Sequence, residues 1–294
     1  MPDEETAAER KARVLARMAG LQVDEPQKAA PPTKPALPPA KIARSGPLKI
    51  LFLHGNGGCI DFVPMMTAPM AKGLGGAAID AVQGFMQMDK KMIETTKGLS
   101  NDLREMGLAG DIDLYTWYEF TPTTVEGPPG ITVEHNLPKD LAVVDACVDK
   151  ICAHIVKKGG VDGIVGFSQG GSVAMALCDS RVAALNAQCA RKLSFLGVFG
   201  GTLVRYVSLQ EAGRSNPFEI VPANIEPGAC GLAQPLRVFF CSGTEDDNSK
   251  PSHLEVLRNA WASAGATVEV TSWKGGHRMP TDNDPCYRVM NEFI

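Results

Sequence analysis

The segment "LKILFLHG", starting at Leu48, most constrains the fold. It is a short apolar run that ends in glycine. A strand open to water on one face alternates polar and apolar residues, so a run like this needs cover on both faces. "VDGIVGF", "KLSFLGVFGG", "PLRVFFCSG" and "TVEVTSW" read as further strands, and so does "DIDLYTWY". Helical stretches fall between them. In "PKDLAVVDACVDKICAHIVKKGG", Leu141, Val144, Cys147, Val148, Ile151 and Ile155 make one apolar stripe, and Gly159-Gly160 end it. Helical spacing also marks Met92, Ile93, Leu99, Leu103 and Met106, the stretch "GGSVAMALCDSRVAALNAQCA", the stretch "PSHLEVLRNAWASAGA" and the terminal "DNDPCYRVMNEFI". Strands alternating with helices predict an α/β fold, a mostly parallel central sheet with helices on both faces. Chemistry in such a sheet sits at the carboxyl ends of the strands.

The chain of 294 residues is long enough for one large domain of this kind. Residues 1–47 differ from the rest. A charged stretch from Glu5 to Met18 has Val14, Leu15 and Met18 on one side, and "EPQKAAPPTKPALPPAKIARSGP" follows it. Proline at that density excludes helix, so the expectation is a disordered leader containing one short helix, with the folded domain spanning 48–294. The first twenty residues start acidic, then alternate in charge, and lack the apolar core of a secretory signal. A net charge of −4 offers no basic footprint for nucleic acid, and no apolar run is long enough to span a bilayer. The eight cysteines are scattered, without a C-x-x-C pair. They read as reduced, mostly buried thiols of a cytoplasmic protein, with no spacing that supports zinc.

Three reactive residue types fall just after strands. Ser168 follows "DGIVGF", the acidic run Glu245-Asp246-Asp247 follows "LRVFFCSG", and His277 follows "TVEVTSWKGG". Serine, acid and histidine in that chain order match an α/β-hydrolase. Gly166 and Gly170 flank the serine, where a strand turns sharply into a helix and pushes the hydroxyl clear of the sheet. A serine there is either a helix cap or a nucleophile. As a nucleophile it would give its proton to His277, with Asp246 orienting the imidazole. The backbone N–H of Gln169, at the helix start, and that of Asn56, in the glycine-rich "FLHGNGG" loop, are the candidate oxyanion donors. No cofactor or metal is required. His253 is a competing base, less well placed than His277. His54 and His154 read as structural, and His135 as a loop residue. Met86 and Met88 read as packing or loop contacts.

"ILFLHGNGG", "VDGIVGFSQGGSVAMAL", "LRVFFCSGTEDDN" and "WKGGHRMP" together resemble the FSH serine hydrolases, a family that includes the ovarian-cancer-associated protein 2 type of esterase. The resemblance spans Leu48 to the C-terminus and is patchy between motifs. Its G-x-x-D pattern falls on Gly243-Thr244-Glu245-Asp246 and selects Asp246 over its acidic neighbours. The resemblance implies an α/β-hydrolase fold and hydrolysis of small-molecule carboxylic esters or thioesters. Acyl-protein thioesterases and carboxylesterases share "LHG", "GFSQGG" and a late "GH", and are the alternative within the same fold. A hydrolase fold kept only for binding is the alternative from another class, and no triad position is missing to favour it. The thirty residues after "LHGN" and the long segment 202–234 depart from the family pattern. Both are expected to be insertions over the pocket. The leader has no family counterpart.

Overall fold

A computed structural model describes residues 46–96, 112–126, 132–201, 235–249, 251–263, 265–282 and 284–294. All described residues lie within one compact unit, Lys41–Ile294. The expected leader helix and the segment 202–234 lie outside the described residues.

The core is a six-stranded sheet, ordered β10-β9-β8-β7-β1-β2, with every neighbouring pair parallel. Its strands are β1 (Lys49–Leu53), β2 (Ala78–Val82), β7 (Gly163–Phe167), β8 (Phe195–Phe199), β9 (Arg237–Gly243) and β10 (Thr267–Trp273). Alternate residues of each inner strand enter opposite layers. Leu51, Leu53, Ile164, Leu196, Val198, Val238 and Phe240 pack in one cluster. Ile50, Phe52, Val165, Phe195, Phe199 and Phe239 pack in the other. Helices α3 (Leu141–Lys157), α4 (Gln169–Ser180), α5 (Val182–Gln188) and α6 (Pro251–Ser263) cover the first face. Helices α1 (Val63–Gly73) and α7 (Cys286–Phe293) cover the second. Each fully buried aliphatic or aromatic side chain contributes about 1.5–3 kcal/mol. The unbroken apolar runs are thus the residues that two helical layers must cover.

Five residues of the α3 stripe, Val144, Cys147, Val148, Ile151 and Ile155, are buried, and the side chain of Leu141 lies outside the described residues. The Asp140 side chain caps the helix by accepting from the Ala142 N–H.

Several expectations change. The thirty residues after "LHGN" are not an insertion over the pocket. They form a 3-10 turn (Ile60–Phe62), helix α1 and edge strand β2, which pairs with β1 from Lys49–Ala78 to Leu53–Val82. β2 is only partly buried, so its apolar content is low and its strand signal weak. "DIDLYTWY" is not a strand of the main sheet. Only Tyr115–Thr116 (β4) pairs, antiparallel, with Met86–Gln87 (β3). That ladder ends where the Trp117 amide takes a side-chain acceptor on Gln169. The helix expected through Met106 is described only as α2 (Lys90–Thr95), and residues 97–111 lie outside the description. The "EGPPGITVEHNLP" loop holds part of a hairpin of β5 (Phe120–Glu126) and β6 (Thr132–Pro138). The helical stretch after Ser168 is two helices, α4 and α5, which meet at Arg181.

From β1 the chain steps outward to β2, then returns to the other side of β1 and runs through β7 to β10. The direction of winding switches between β1 and β7. In sheets of this kind the loops leaving the carboxyl ends of two such strands diverge, so this switch is where a ligand site is expected.

Candidate active site

Ser168 stands at that switch, between β7 and α4. Its φ is +51°, which no other described residue except glycine matches in sign. Such backbone costs a non-glycine residue about 1–3 kcal/mol. Gly166 and Gly170 make the turn possible. A side-chain carbon on Gly166 would overlap the Gly170 carbonyl, and one on Gly170 would overlap the Leu53 carbonyl of β1. The serine makes no side-chain capping bond to α4. Its hydroxyl lies 2.8 Å from His277 Nε2 instead.

His277 Nδ1 lies 2.9 Å from Asp246 Oδ2. A carboxylate can only accept, so Nδ1 carries the proton and Nε2 is left to accept from the serine. The Asp246 side chain is fully buried. Its Oδ1 accepts from the backbone N–H groups of Asn248 (2.8 Å) and Ser249 (2.9 Å). Glu245 and Asp247 are exposed. The loops carrying acid and base are tied together, because Thr244 N–H donates to Trp273 O and Glu245 N–H to Gly275 O. The His277 ring lies 5.1 Å from that of Phe167.

Asn56 lies in the loop after β1, beside the elbow. A side-chain carbon on its neighbour Gly55 would lie 3.2 Å from Ser168 Cβ. The N–H of Gln169 is at the first position of α4, where no intrahelical acceptor exists. Serine, histidine, aspartate and the two backbone segments therefore come together at the switch between β1 and β7. The side chains of His253 and His135 lie outside the described residues.

Residues not singled out from the sequence also shape the site. Gly200 follows β8 with φ +56°, and a side-chain carbon there would lie 3.2 Å from both the Asp246 carboxylate and the His277 ring. Its only sequence signal is the glycine pair ending "GVFGG". His54 is buried: its Nδ1–H donates to Gly55 O (2.7 Å) and its Nε2 accepts from Gly84 N–H (2.9 Å). Burial pushes its pKa below the ordinary histidine value, against the smaller opposing effect of the Gly55 bond. His154 bonds Asp80 at 2.9 Å. Met88 packs with Leu114. The seven described cysteines are all free thiols. Among the described residues there is no metal-binding cluster and no helix long and apolar enough to cross a membrane.

The family described as serine hydrolase (FSH1) matches residues 44–286. The chain belongs to the FSH1 serine hydrolase family. As a member it shares its architecture with solved α/β-hydrolase structures. Arabidopsis thaliana SOBER1 aligns at 16% identity with a TM-score of 0.50, covering 84% of this chain and 97% of SOBER1. Zea mays acyl-protein thioesterase 2 aligns at 15% identity with a TM-score of 0.50, covering 86% of this chain and 97% of that one. At such identities the likeness is one of fold. No curated protein matches.

Proposed function

We propose that this FSH1-family chain hydrolyses carboxylic esters or thioesters through an acyl-enzyme on Ser168. The observation that carries the proposal is the hydrogen-bonded line Ser168–His277–Asp246, with the serine held in a backbone conformation that a mere helix cap does not need. In this reading His277 Nε2 takes the serine proton as Oγ attacks the carbonyl carbon. Negative charge on the former carbonyl oxygen is met by the N–H groups of Asn56 and Gln169. The tetrahedral intermediate collapses, and the alcohol or thiol leaves with the proton returned by His277. Water, deprotonated by the same imidazole, then attacks the acyl-enzyme and releases the acid. Asp246 keeps the imidazole in the required tautomer and stabilises its cation. Esters and thioesters share this route, and the likeness in fold to Zea mays acyl-protein thioesterase 2 supports including thioesters. The substrate is a small acyl compound, and the free thiols support a reducing, cytoplasmic setting.

The test is labelling with a fluorophosphonate, read by intact mass. Wild type is expected to gain one adduct and Ser168→Ala none. A folded wild type that gains no adduct overturns the proposal. A panel of acyl esters and thioesters of graded chain length then measures preference.

A further inference from the structure

An oxyanion hole stabilises charge only if its donors are fixed before the reaction. Here the two donors come from different strands, Asn56 after β1 and Gln169 after β7. We propose that residues 115–118 form a brace locking both donors in place, with the Gln169 side chain and Thr116 as positioning residues. This inference rests on the hydrolase reading above.

One end of the brace is the Gln169 side chain. The residue is 5% exposed, although it is the first residue of a helix. An amide buried without partners is strongly destabilising, so its bonds matter. Its Oε1 accepts from the Thr116 hydroxyl (2.7 Å) and the Trp117 N–H (3.0 Å), and its Nε2 donates to Tyr118 O (2.8 Å). Three consecutive residues thus grip the side chain of the residue whose own N–H is the donor. The other end of the brace holds the loop that carries Asn56. Gly57 N–H donates to Tyr115 O (3.0 Å), Tyr115 N–H donates to Gly58 O (2.9 Å), and the Trp117 indole N–H donates to His54 O (2.7 Å). The His54 and Trp117 rings lie 5.1 Å apart. Thr116, Trp117 and Tyr118 are themselves almost fully buried. A shift of this segment would therefore move both donors together. None of these bonds reaches His277 or Asp246.

That separation defines the experiment. Wild type, Gln169→Ala, Thr116→Val and Thr116→Ser are compared for kcat, KM, the pH profile of kcat/KM, the rate of fluorophosphonate labelling and the melting temperature. A reacting group misplaced by about 1 Å loses about 100-fold in rate, as does the loss of one donor. Gln169→Ala is expected to lose about that factor in kcat and in labelling rate, with KM and the pH profile unchanged. Thr116→Val removes, at nearly constant volume, the hydroxyl that bonds Gln169 Oε1 and also lies 3.1 Å from Tyr118 O, and is expected to lose about tenfold in kcat. Thr116→Ser keeps the hydroxyl and is expected to restore the wild-type rate. If Gln169→Ala does not fold, the Thr116 pair decides. A folded Thr116→Val with wild-type kcat, a loss carried by KM, or a displaced pH profile overturns the brace while leaving the hydrolase reading intact. A folded wild type that does not label overturns both.

Discussion

Replacing Asp246 by asparagine tests the geometry of the acid directly. The change is nearly isosteric, and the side chain is fully buried, so solvent cannot compensate. An amide has one oxygen and one NH2 group, and the two must divide between the partners of Oδ1 and Oδ2. Two backbone N–H groups, from Asn248 and Ser249, point at the Oδ1 position, while only the imidazole faces Oδ2. Turning the NH2 toward the two backbone donors would leave both unsatisfied, at about 1–3 kcal/mol each. Neutral imidazole tautomers differ by much less. The amide oxygen therefore stays with the backbone, and the NH2 donates to His277 Nδ1. The ring proton moves to Nε2, which can no longer accept from Ser168. A triad aspartate replaced in this way costs about 10⁴ in kcat elsewhere. At 1.36 kcal/mol per decade that is about 5 kcal/mol of transition-state stabilisation. The assay is kcat and KM on a short-chain acyl ester, with the melting temperature as a folding control. The expected result is a kcat near background, an ordinary KM and little change in melting temperature. Near-full activity in Asp246→Asn, with loss in Asp247→Asn instead, would refute the reasoning.

Ser168→Gly should abolish activity yet raise the melting temperature. Relief of strain at φ +51° is worth about 1 kcal/mol or more, or about 2–4 °C for a domain of this size, and an unchanged or lower melting temperature in scanning calorimetry would contradict it. His54 should make stability depend on pH. Its folded-state pKa is lowered by burial, so the unfolded chain binds the proton first as pH falls, and stability present above about pH 6.5 declines below it. The drop in melting temperature between about pH 7.5 and about pH 5 should be smaller in His54→Gln than in wild type, and equal drops would remove His54 as the cause. Gly200→Ala should lower kcat by about tenfold or more, because the added methyl crowds the His277 ring and Asp246 carboxylate. A kcat within twofold of wild type would show that the loop absorbs it.

The parts of the fold visible in the sequence are those where one physical demand acts alone. β1, β7, β8 and β9 are buried on both faces, so their apolar runs are unambiguous. β2 escaped because an edge strand half open to solvent needs no such run, and "AIDAV" sits inside a stretch that looked like an addition to the fold. "DIDLYTWY" misled for the opposite reason. Leu114, Trp117 and Tyr118 are indeed buried, but Trp117 and Tyr118 are buried as a connector whose backbone bonds go to a side chain. Strand pattern and buried connector look alike until partners are known. The same holds at the site. Serine, acid and histidine could be picked out because each follows a strand, whereas Gly200 and Thr116 act through what their backbone or hydroxyl touches across the sheet.

The strain at Ser168 shows why the surrounding motif has the form it does. A residue at positive φ persists only where its surroundings fix it more strongly than the strain releases it. Three contacts do so here. The Ser168 N–H donates to Phe199 O at the end of β8 (2.9 Å). Gly170 lies so close to the Leu53 carbonyl that no side chain fits between α4 and β1. Gly166 is closed off in the same way by the Gly170 carbonyl. The first two contacts reach the strands on either side of β7, and the third closes the turn on itself. The serine cannot relax toward an ordinary helix cap without breaking one of them, so its hydroxyl stays aimed at His277. Relaxation would also lift the start of α4 away from β1, and with it the distance between the Gln169 and Asn56 loops. The proposed nucleophile and oxyanion donors are thereby set by one close approach of helix to strand. A side chain at Gly170 should then damage both at once: Gly170→Ala is expected to lose fluorophosphonate labelling and melt lower than wild type, whereas a variant that melts normally and labels at the wild-type rate would show the approach to be dispensable.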